Sequence, residues 1–484
     1  MRQALLIAGI TAALATAVPS PSQAQPAAEP SVVSRHEIRL AGRTLGYEAE
    51  AGRIAIRDVA TGEPRGFMFY TAYRVPSPGR PRPVTFVWNG GPGAASTLLH
   101  FEVAGPKRVE DGRLVDNADT WLTHSDLVFV DPIGTGFSRP ARREYAEEFY
   151  GTLGDVASVT EFVRAWRILH GAQDAPTFLA GESWGAGRAA NVGHALLKRG
   201  VRVDGLALIS GGAGLRPPPA AAADIEAQRV VNLAAVAAHH GRGGGDPQAI
   251  ARWARETYAP ALRAGASLAD AERAAIAAKL AEFTGLPPER IDRDSLVVTP
   301  RQFRTGLIEG RTLDVFDMRL SEAGESLPTD RLLAYFRSDL GYRTDLPYVG
   351  LEAVERGYAP GGDYPASVGA RWNYATGPVT PEEVQAAMAE AMRTAAGPPQ
   401  LGPPLPGTVE AVALNPRLKV LVASGLYDSL ANCAGADEIA RRLAPDVRAA
   451  MSFRCYEGGH MMYRDPAART QLSRDVREMI GGSR

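Results

Sequence analysis

The five residues Gly181-Glu182-Ser183-Trp184-Gly185 constrain this chain more than any other stretch. The apolar run Thr177-Phe178-Leu179-Ala180 precedes them and predicts a buried strand; Ala186 to Lys198, rich in Ala, Leu and Val, follows and predicts a helix. A G-x-S-x-G sequence between strand and helix is the context in which a sharp turn pushes the serine out at its tip. The glycines let the backbone turn tightly and let the flanking elements approach. The Trp184 amide then opens the helix. A helix N-terminus favours negative charge, so this amide suits an oxyanion formed by attack of Ser183. On five residues alone, a Gly/Ser turn without chemistry is an equal reading. The other strand ends decide between the two.

Taken in order, the chain opens with an export signal. Arg2 supplies the positive start, Ala4 to Val18 is apolar but too short to span a bilayer, and Ser22-Gln23-Ala24 is a small-x-small cleavage site. Cleavage is expected after Ala24, followed by a disordered Pro/Ala-rich leader over 25–33. No later segment reads as a membrane span. His36 to Arg57 and Gly66 to Tyr73 alternate apolar and polar residues and predict antiparallel strands at one sheet edge. Pro83 to Trp88 predicts a buried strand ending in Asn89-Gly90-Gly91-Pro92-Gly93-Ala94-Ala95-Ser96, and the Gly-Gly pair suggests a second oxyanion amide, that of Gly91. Asp126 to Val130 predicts another strand, running into the Gly-rich loop Asp131 to Ser138, which is expected to line the site. Asp155 to Leu169 is an amphipathic helix with a core-facing stripe, and Leu206 to Ser210 the next strand.

From about Leu215 the character changes. An Ala-rich, helix-prone region opens at Pro217-Pro218-Pro219 and closes in the Pro/Gly cluster Gly397 to Gly407. It reads as a helical cap inserted into the core. His239-His240 lies inside it without a carboxylate or Cys at ligand spacing, so a helix end is the better reading and no metal is implied. Strand-helix alternation then resumes. Leu418 to Ala423 predicts a strand ending at Gly425-Leu426-Tyr427-Asp428, Ala436 to Leu443 a helix, Ala450 to Tyr456 the last strand, ending at Gly458-Gly459-His460, and Pro466 to Ile480 a closing helix. The expected organisation is thus a signal (1–24), a leader (25–33), a core in two parts (34–214 and 407–484) and a helical insertion (215–406).

Ser183, Asp428 and His460 each follow a predicted strand, and serine, acid, histidine is the chain order of the α/β-hydrolases. A serine hydroxyl needs a base to take its proton; histidine can take it and return it to the leaving group; a carboxylate holds the imidazole in the working tautomer. The fold class expected is therefore α/β, with a mostly parallel central sheet, helices on both faces and the helical cap.

Asn89 to Ser96, Asp131 to Ser138, Gly181 to Gly185, Gly425 to Asp428 and Gly459-His460-Met461 together resemble the serine carboxypeptidases, α/β-hydrolase exopeptidases related to yeast carboxypeptidase Y. The motifs fall on both sides of the insertion, which itself shows little resemblance. The resemblance implies Ser183 as nucleophile, His460 as base, Asp428 as orienting acid, and Gly91 and Trp184 as oxyanion amides. It implies that Asn89 and Glu182 grip the substrate's free C-terminal carboxylate, and that Met461 borders the pocket for the last side chain. A carboxylate at Glu182 facing a substrate carboxylate implies a shared proton, hence tightest binding at acidic pH. The chain departs from the family pattern at Val87, Ala94 and Ala431, where relatives often carry Trp, Cys and Cys, and Glu102 is an uncertain counterpart of a further family glutamate.

The expected partners are peptides with a free C-terminus. The formal net charge of -1 gives no reason to expect nucleic acid or an anionic membrane. No cofactor is implied. An esterase or acyltransferase on the same scaffold is the alternative, and a non-catalytic binding protein a more distant one. The two cysteines, Cys433 and Cys455, are expected to pair in an oxidising compartment. Such a bridge would staple the loops carrying Asp428 and His460.

Overall fold

The computed structural model describes residues 31–79, 81–211, 215, 221–322, 327–350, 368–394 and 401–481. The expected signal (1–24), most of the expected leader, Pro217-Pro218-Pro219 and residues 397–400 of the closing cluster lie outside them. The strands are β1 (Val32–Leu40), β2 (Arg43–Arg57), β3 (Pro64–Arg74), β4 (Val84–Trp88), β5 (Lys107–Glu110), β6 (Arg113–Asp116), β7 (Asp126–Val130), β8 (Arg139–Pro140), β9 (Thr177–Glu182), β10 (Gly205–Ile209), β11 (Lys419–Gly425) and β12 (Met451–Tyr456). The α-helices are α1 (Thr152–Leu169), α2 (Trp184–Lys198), α3 (Ala222–His239), α4 (Pro247–Trp253), α5 (Ala259–Ala264), α6 (Asp270–Thr284), α7 (Pro300–Gly306), α8 (Thr329–Ala334), α9 (Pro381–Thr394), α10 (Thr408–Leu414), α11 (Cys433–Arg442), α12 (Pro445–Ala449) and α13 (Pro466–Gly481).

One sheet runs in the order β1-β2-β3-β7-β4-β9-β10-β11-β12, with β8 paired to β3. From β7 to β12 the pairs are parallel; β1, β2 and β3 join antiparallel at one edge. The central strands β4, β9 and β10 are buried throughout, as continuous apolar runs covered on both faces must be. Strand period 2 sorts their side chains: Phe86 and Trp88 join a core with Phe162 and Trp166 of α1 and Val192 of α2, whereas Val87 joins a core with Leu472 and Val476 of α13. Helices therefore cover both faces, and the C-terminal ends of the parallel strands stay free to carry loops.

Two sequence expectations need correction, and one element is additional. Strand β1 begins at Val32, so residues 32–33 are paired strand rather than leader, with Val32 opposite Ala51 and Val33 opposite Glu50. The alternation simply starts earlier than His36. A hairpin, β5–β6, turns at Asp111-Gly112, both in the left-handed region. Lastly, the insertion is not one body over the site. Helices α3 to α7 contribute to a second core that includes Leu233, Leu280 and Phe303, together with Tyr427 of the loop before Asp428. Residues 332–348, rich in aromatics, join the main core instead: Phe336 stacks on Tyr348 and packs edge-on to Phe69 and Phe137.

Candidate active site

Strand β9 delivers the chain into the sharp turn at Ser183, which takes φ 57° and ψ -125°. A non-glycine residue rarely sits there, and the strain is held by the surroundings. Ser183 N–H donates to Ile209 O at 2.8 Å, fixing the turn against the end of β10. The Asn89-Gly90-Gly91 turn leaving β4 lies directly against it. A Cβ on Gly90 would fall 2.6 Å from both Glu182 O and Trp184 N, so only glycine admits this contact. Trp184 begins α2, and Gly91 stands one residue beyond the contact with φ 100°. The two amides proposed for an oxyanion thus belong to adjoining turns. The Trp184 indole packs edge-on to Trp372 and Tyr374 of the insertion.

Behind this joint lies a buried ion pair the sequence reading missed. Arg188 Nε donates to Asp155 Oδ2 at 2.6 Å, with both side chains at most 2% exposed. Its Nη1 donates to Asn89 O at 2.8 Å, and Trp88 Nε1 donates to Gly185 O at 2.9 Å. Arg188 is a lone cation on the apolar face of α2, and Asp155 faces it from α1. Burial raises the Asp155 carboxyl, opposed by the Arg188 guanidinium.

Asp428 follows β11 and His460 follows β12. His460 Nδ1 lies 2.7 Å from Asp428 Oδ2, and both residues are buried. Asp428 Oδ1 also accepts from Leu430 N–H at 2.8 Å, fixing the carboxylate plane. Burial would lower the His460 pKa, but the Asp428 hydrogen bond and charge, with the charge of Glu182, outweigh it and raise it. The two loops are zipped together: Leu426 N–H donates to Tyr456 O and Tyr427 N–H to Gly458 O, each at 2.9 Å. Cys433, first residue of α11, and Cys455, on β12, are joined in a disulfide with Cα atoms 5.6 Å apart.

Glu182 is buried beside this group, and Tyr463 O–H donates to its Oε2. Burial raises its pKa to about 7 against the opposing pull of His460 and Tyr463; Glu102 raises it further and Arg464 lowers it. Asn89 Oδ1 accepts from Leu99 N–H at 3.1 Å, leaving its buried Nδ2 without a hydrogen-bond partner among the described residues. Glu102 is clasped by Arg464 through two bonds of 2.9 Å, so its carboxylate is committed to a guanidinium. Met461, next to His460, lines a cavity of about 1100 Å³ together with Glu102, Tyr463, Arg464 and residues of the insertion.

The loop Asp131 to Ser138 turns inward rather than lining the site with its polar side chains. Asp131 accepts from Ser96 N–H, Ser96 O–H and Tyr348 O–H, each at 2.8 Å, and Ser138 bridges Asp131 O and Phe69 N–H. It braces the turns around it. His239 ends α3, and His240 Nε2 lies 2.8 Å from Met318 O. Among the described residues no cluster of three metal-ligating side chains occurs, and no helix is long and apolar enough to cross a membrane.

A mixed, mostly parallel sheet with a serine at a strained strand-helix turn and an Asp–His pair on the loops beyond defines an α/β-hydrolase. The crystal structure of Kex1(delta)p, a prohormone-processing carboxypeptidase from Saccharomyces cerevisiae, shares this fold with a TM-score of 0.52 at 16% identity, over 90% of each chain. Residues 49–202 match the family model of serine carboxypeptidases. Similar relatives include the pheromone-processing carboxypeptidase KEX1 of Eremothecium gossypii, 51% identical over 59 residues (12% of this chain, 10% of the relative), and that of Verticillium alfalfae, 34% over 119 residues (24% and 18%). The serine carboxypeptidase-like 36 of Arabidopsis thaliana is 38% identical over 84 residues (16% and 17%). The matched segments thus span less than a fifth of these relatives' length.

Proposed function

We propose that this protein is an exported serine-type carboxypeptidase that releases the last residue of a peptide through an acyl-enzyme on Ser183. What supports the reading most is one juxtaposition. A buried carboxyl, Glu182, held by Tyr463, and the unpartnered amide donor of Asn89 stand at the turns that flank Ser183. That pair suits a substrate carboxylate, with the Glu182 proton as one donor and Asn89 Nδ2 as the other.

In the proposed reaction His460 Nε2 takes the Ser183 proton while Oγ attacks the carbonyl carbon of the last peptide bond. The amides of Gly91 and Trp184 hold the oxyanion. His460 returns the proton to the leaving amine, the C–N bond breaks, and the terminal amino acid departs. Water, deprotonated by His460, then attacks the acyl-enzyme and regenerates Ser183. Asp428 holds Nδ1 throughout. Export through cleavage after Ala24 fits the disulfide, which an oxidising compartment maintains.

The test uses benzyloxycarbonyl-Phe-Leu as free acid and as C-terminal amide, with Ser183→Ala beside the wild type. Release of leucine from the acid, much slower reaction of the amide, and none in the variant are expected. Hydrolysis of nitrophenyl esters without leucine release would move the reading to an esterase or acyltransferase.

The pH dependence follows from the site. Productive substrate binding needs Glu182 protonated and His460 neutral, so the pair must keep one proton and hold it on Glu182. The substrate carboxylate stays ionised above about pH 4. As pH rises through 7 Glu182 ionises and repels it, so KM rises; as pH falls, His460 protonates and kcat falls. Glu182→Gln is expected to abolish the alkaline rise in KM, measured from pH 5 to 9; an unchanged rise would show that another group controls it. The same raised pKa affects stability in the opposite direction to a salt-bridged acid. The contribution of Glu182 is intact below its unfolded pKa near 4.5 and is lost as pH climbs towards 7.

A further inference from the structure

Asp314 to Leu320, in the insertion, closes on itself. Asp314 Oδ1 accepts from the N–H groups of Phe316 and Asp317 at 2.8 and 2.9 Å, and Asp314 N–H donates to Leu320 O at 2.7 Å. This loop is fastened to both loops of the proposed triad. His460 N–H donates to Phe316 O at 2.6 Å, Met318 N–H to Tyr427 O at 3.0 Å, and Ser429 O–H to Val315 O at 2.6 Å. At Gly459 the fit is so close that a Cβ would fall 2.6 Å from Asp317 Cβ.

Fixed in this way, the Phe316 ring stands 5.4 Å from the His460 ring, yet it is 40% exposed. Leu320 is 44% exposed. Both line the cavity that Met461 borders. The arginines around them are already paired: Arg319 with Asp317, Arg464 with Glu102, Arg469 with Asp119 and Arg108 with Glu110. Large apolar side chains held rigidly in water, in a concave wall whose guanidinium groups are paired, are the mark of a surface completed by a ligand.

We infer that Phe316 is a specificity-determining residue: with Leu320 and Met461 it receives the side chain of the released residue, so peptides ending in a large apolar residue are the preferred substrates. The inference rests on the carboxypeptidase reading above. The leaving amine takes its proton from His460, so the departing residue lies on the His460 side, where Phe316 and Met461 stand. A leucine or phenylalanine side chain there removes apolar surface of both partners from water. A lysine side chain would enter a wall that already carries the guanidinium groups of Arg108, Arg319, Arg464 and Arg469.

The experiment compares kcat/KM for benzyloxycarbonyl-Phe-Leu, -Phe-Ala and -Phe-Lys in the wild type, Phe316→Ala and Phe316→Leu. The wild type is expected to favour Leu over Ala by roughly tenfold or more. Phe316→Ala should cut that ratio several-fold and Phe316→Leu restore most of it. A purely structural role would scale both rates and leave the ratio where it was. An unchanged ratio in Phe316→Ala, or faster release of Lys than of Leu by the wild type, overturns the inference while the carboxypeptidase reading stands. Failure of all three peptides to lose their last residue, with nitrophenyl esters still cleaved, overturns both.

Discussion

Replacing Asp428 with Asn is expected to lower kcat by about four orders of magnitude, the loss typical when the orienting acid of a serine triad becomes an amide. The cause is tautomeric. In the proposed triad Asp428 Oδ2, 2.7 Å from His460 Nδ1, accepts the proton that Nδ1 carries, which leaves Nε2 bare for Ser183. An asparagine can turn its NH2 towards Nδ1 and drive the proton to Nε2, where it blocks the base. The shape is unchanged and Leu430 N–H keeps its acceptor, so thermal unfolding should move little. The discriminating pair of measurements is kcat on the free-acid dipeptide and the melting temperature. A loss of less than tenfold would remove Asp428 from the machinery.

The largest stability effect is expected at Arg188. Arg188→Met strands the Asp155 carboxylate inside the protein, and breaking a buried pair from one side costs about 3–5 kcal/mol. Urea unfolding should show that loss at pH 8 and a smaller one at pH 4. With the guanidinium gone, the already raised Asp155 pKa climbs further and the acid takes up a proton before the fold gives way. Asp155→Leu combined with Arg188→Met should recover most of the stability, since apolar replacement of both partners removes the buried charge. It should not recover KM, because Asn89 O still lacks the Nη1 donor that fixes its turn. Full recovery of both would mean that the pair serves the core alone.

The strands of the parallel block were legible because they are unbroken apolar runs punctuated by glycine. The expected strand Asp126 to Val130 and β7 coincide, and the runs before Asn89, Ser183 and Asp428 end within a residue or two of where the strands do. The N-terminal edge was less legible, since one-sided burial leaves only alternation, which has no sharp start at Val32. The β5–β6 hairpin carries a turn signal, Asp111-Gly112, but its tetrads Lys107–Glu110 and Arg113–Asp116 lack apolar-polar alternation. The Asp155–Arg188 pair had none that could be read along the chain. Each residue has an ordinary helical context, and their meeting depends on how α1 packs against α2. Glu102 shows the same limit: the resemblance offers it only as an uncertain counterpart of a family glutamate, and only the folded chain brings Arg464 to it.

The insertion is threaded between β10 and β11, which lie side by side with Gly205 opposite Lys419, and the chain returns to the sheet through α10. Strand, crossover helix, parallel strand is a unit that closes without anything added to it. The sheet's register therefore makes no demand on what the insertion contains. Helices α4 to α7 are free to lengthen, shorten or be exchanged over generations, with two tolls: residues 332–348 must still fill the main core, and whatever replaces Asp314 to Leu320 must still offer a carbonyl to the His460 amide. Divergence and constraint meet within that one loop, so new substrate preferences can arise there only in steps that keep the histidine in place.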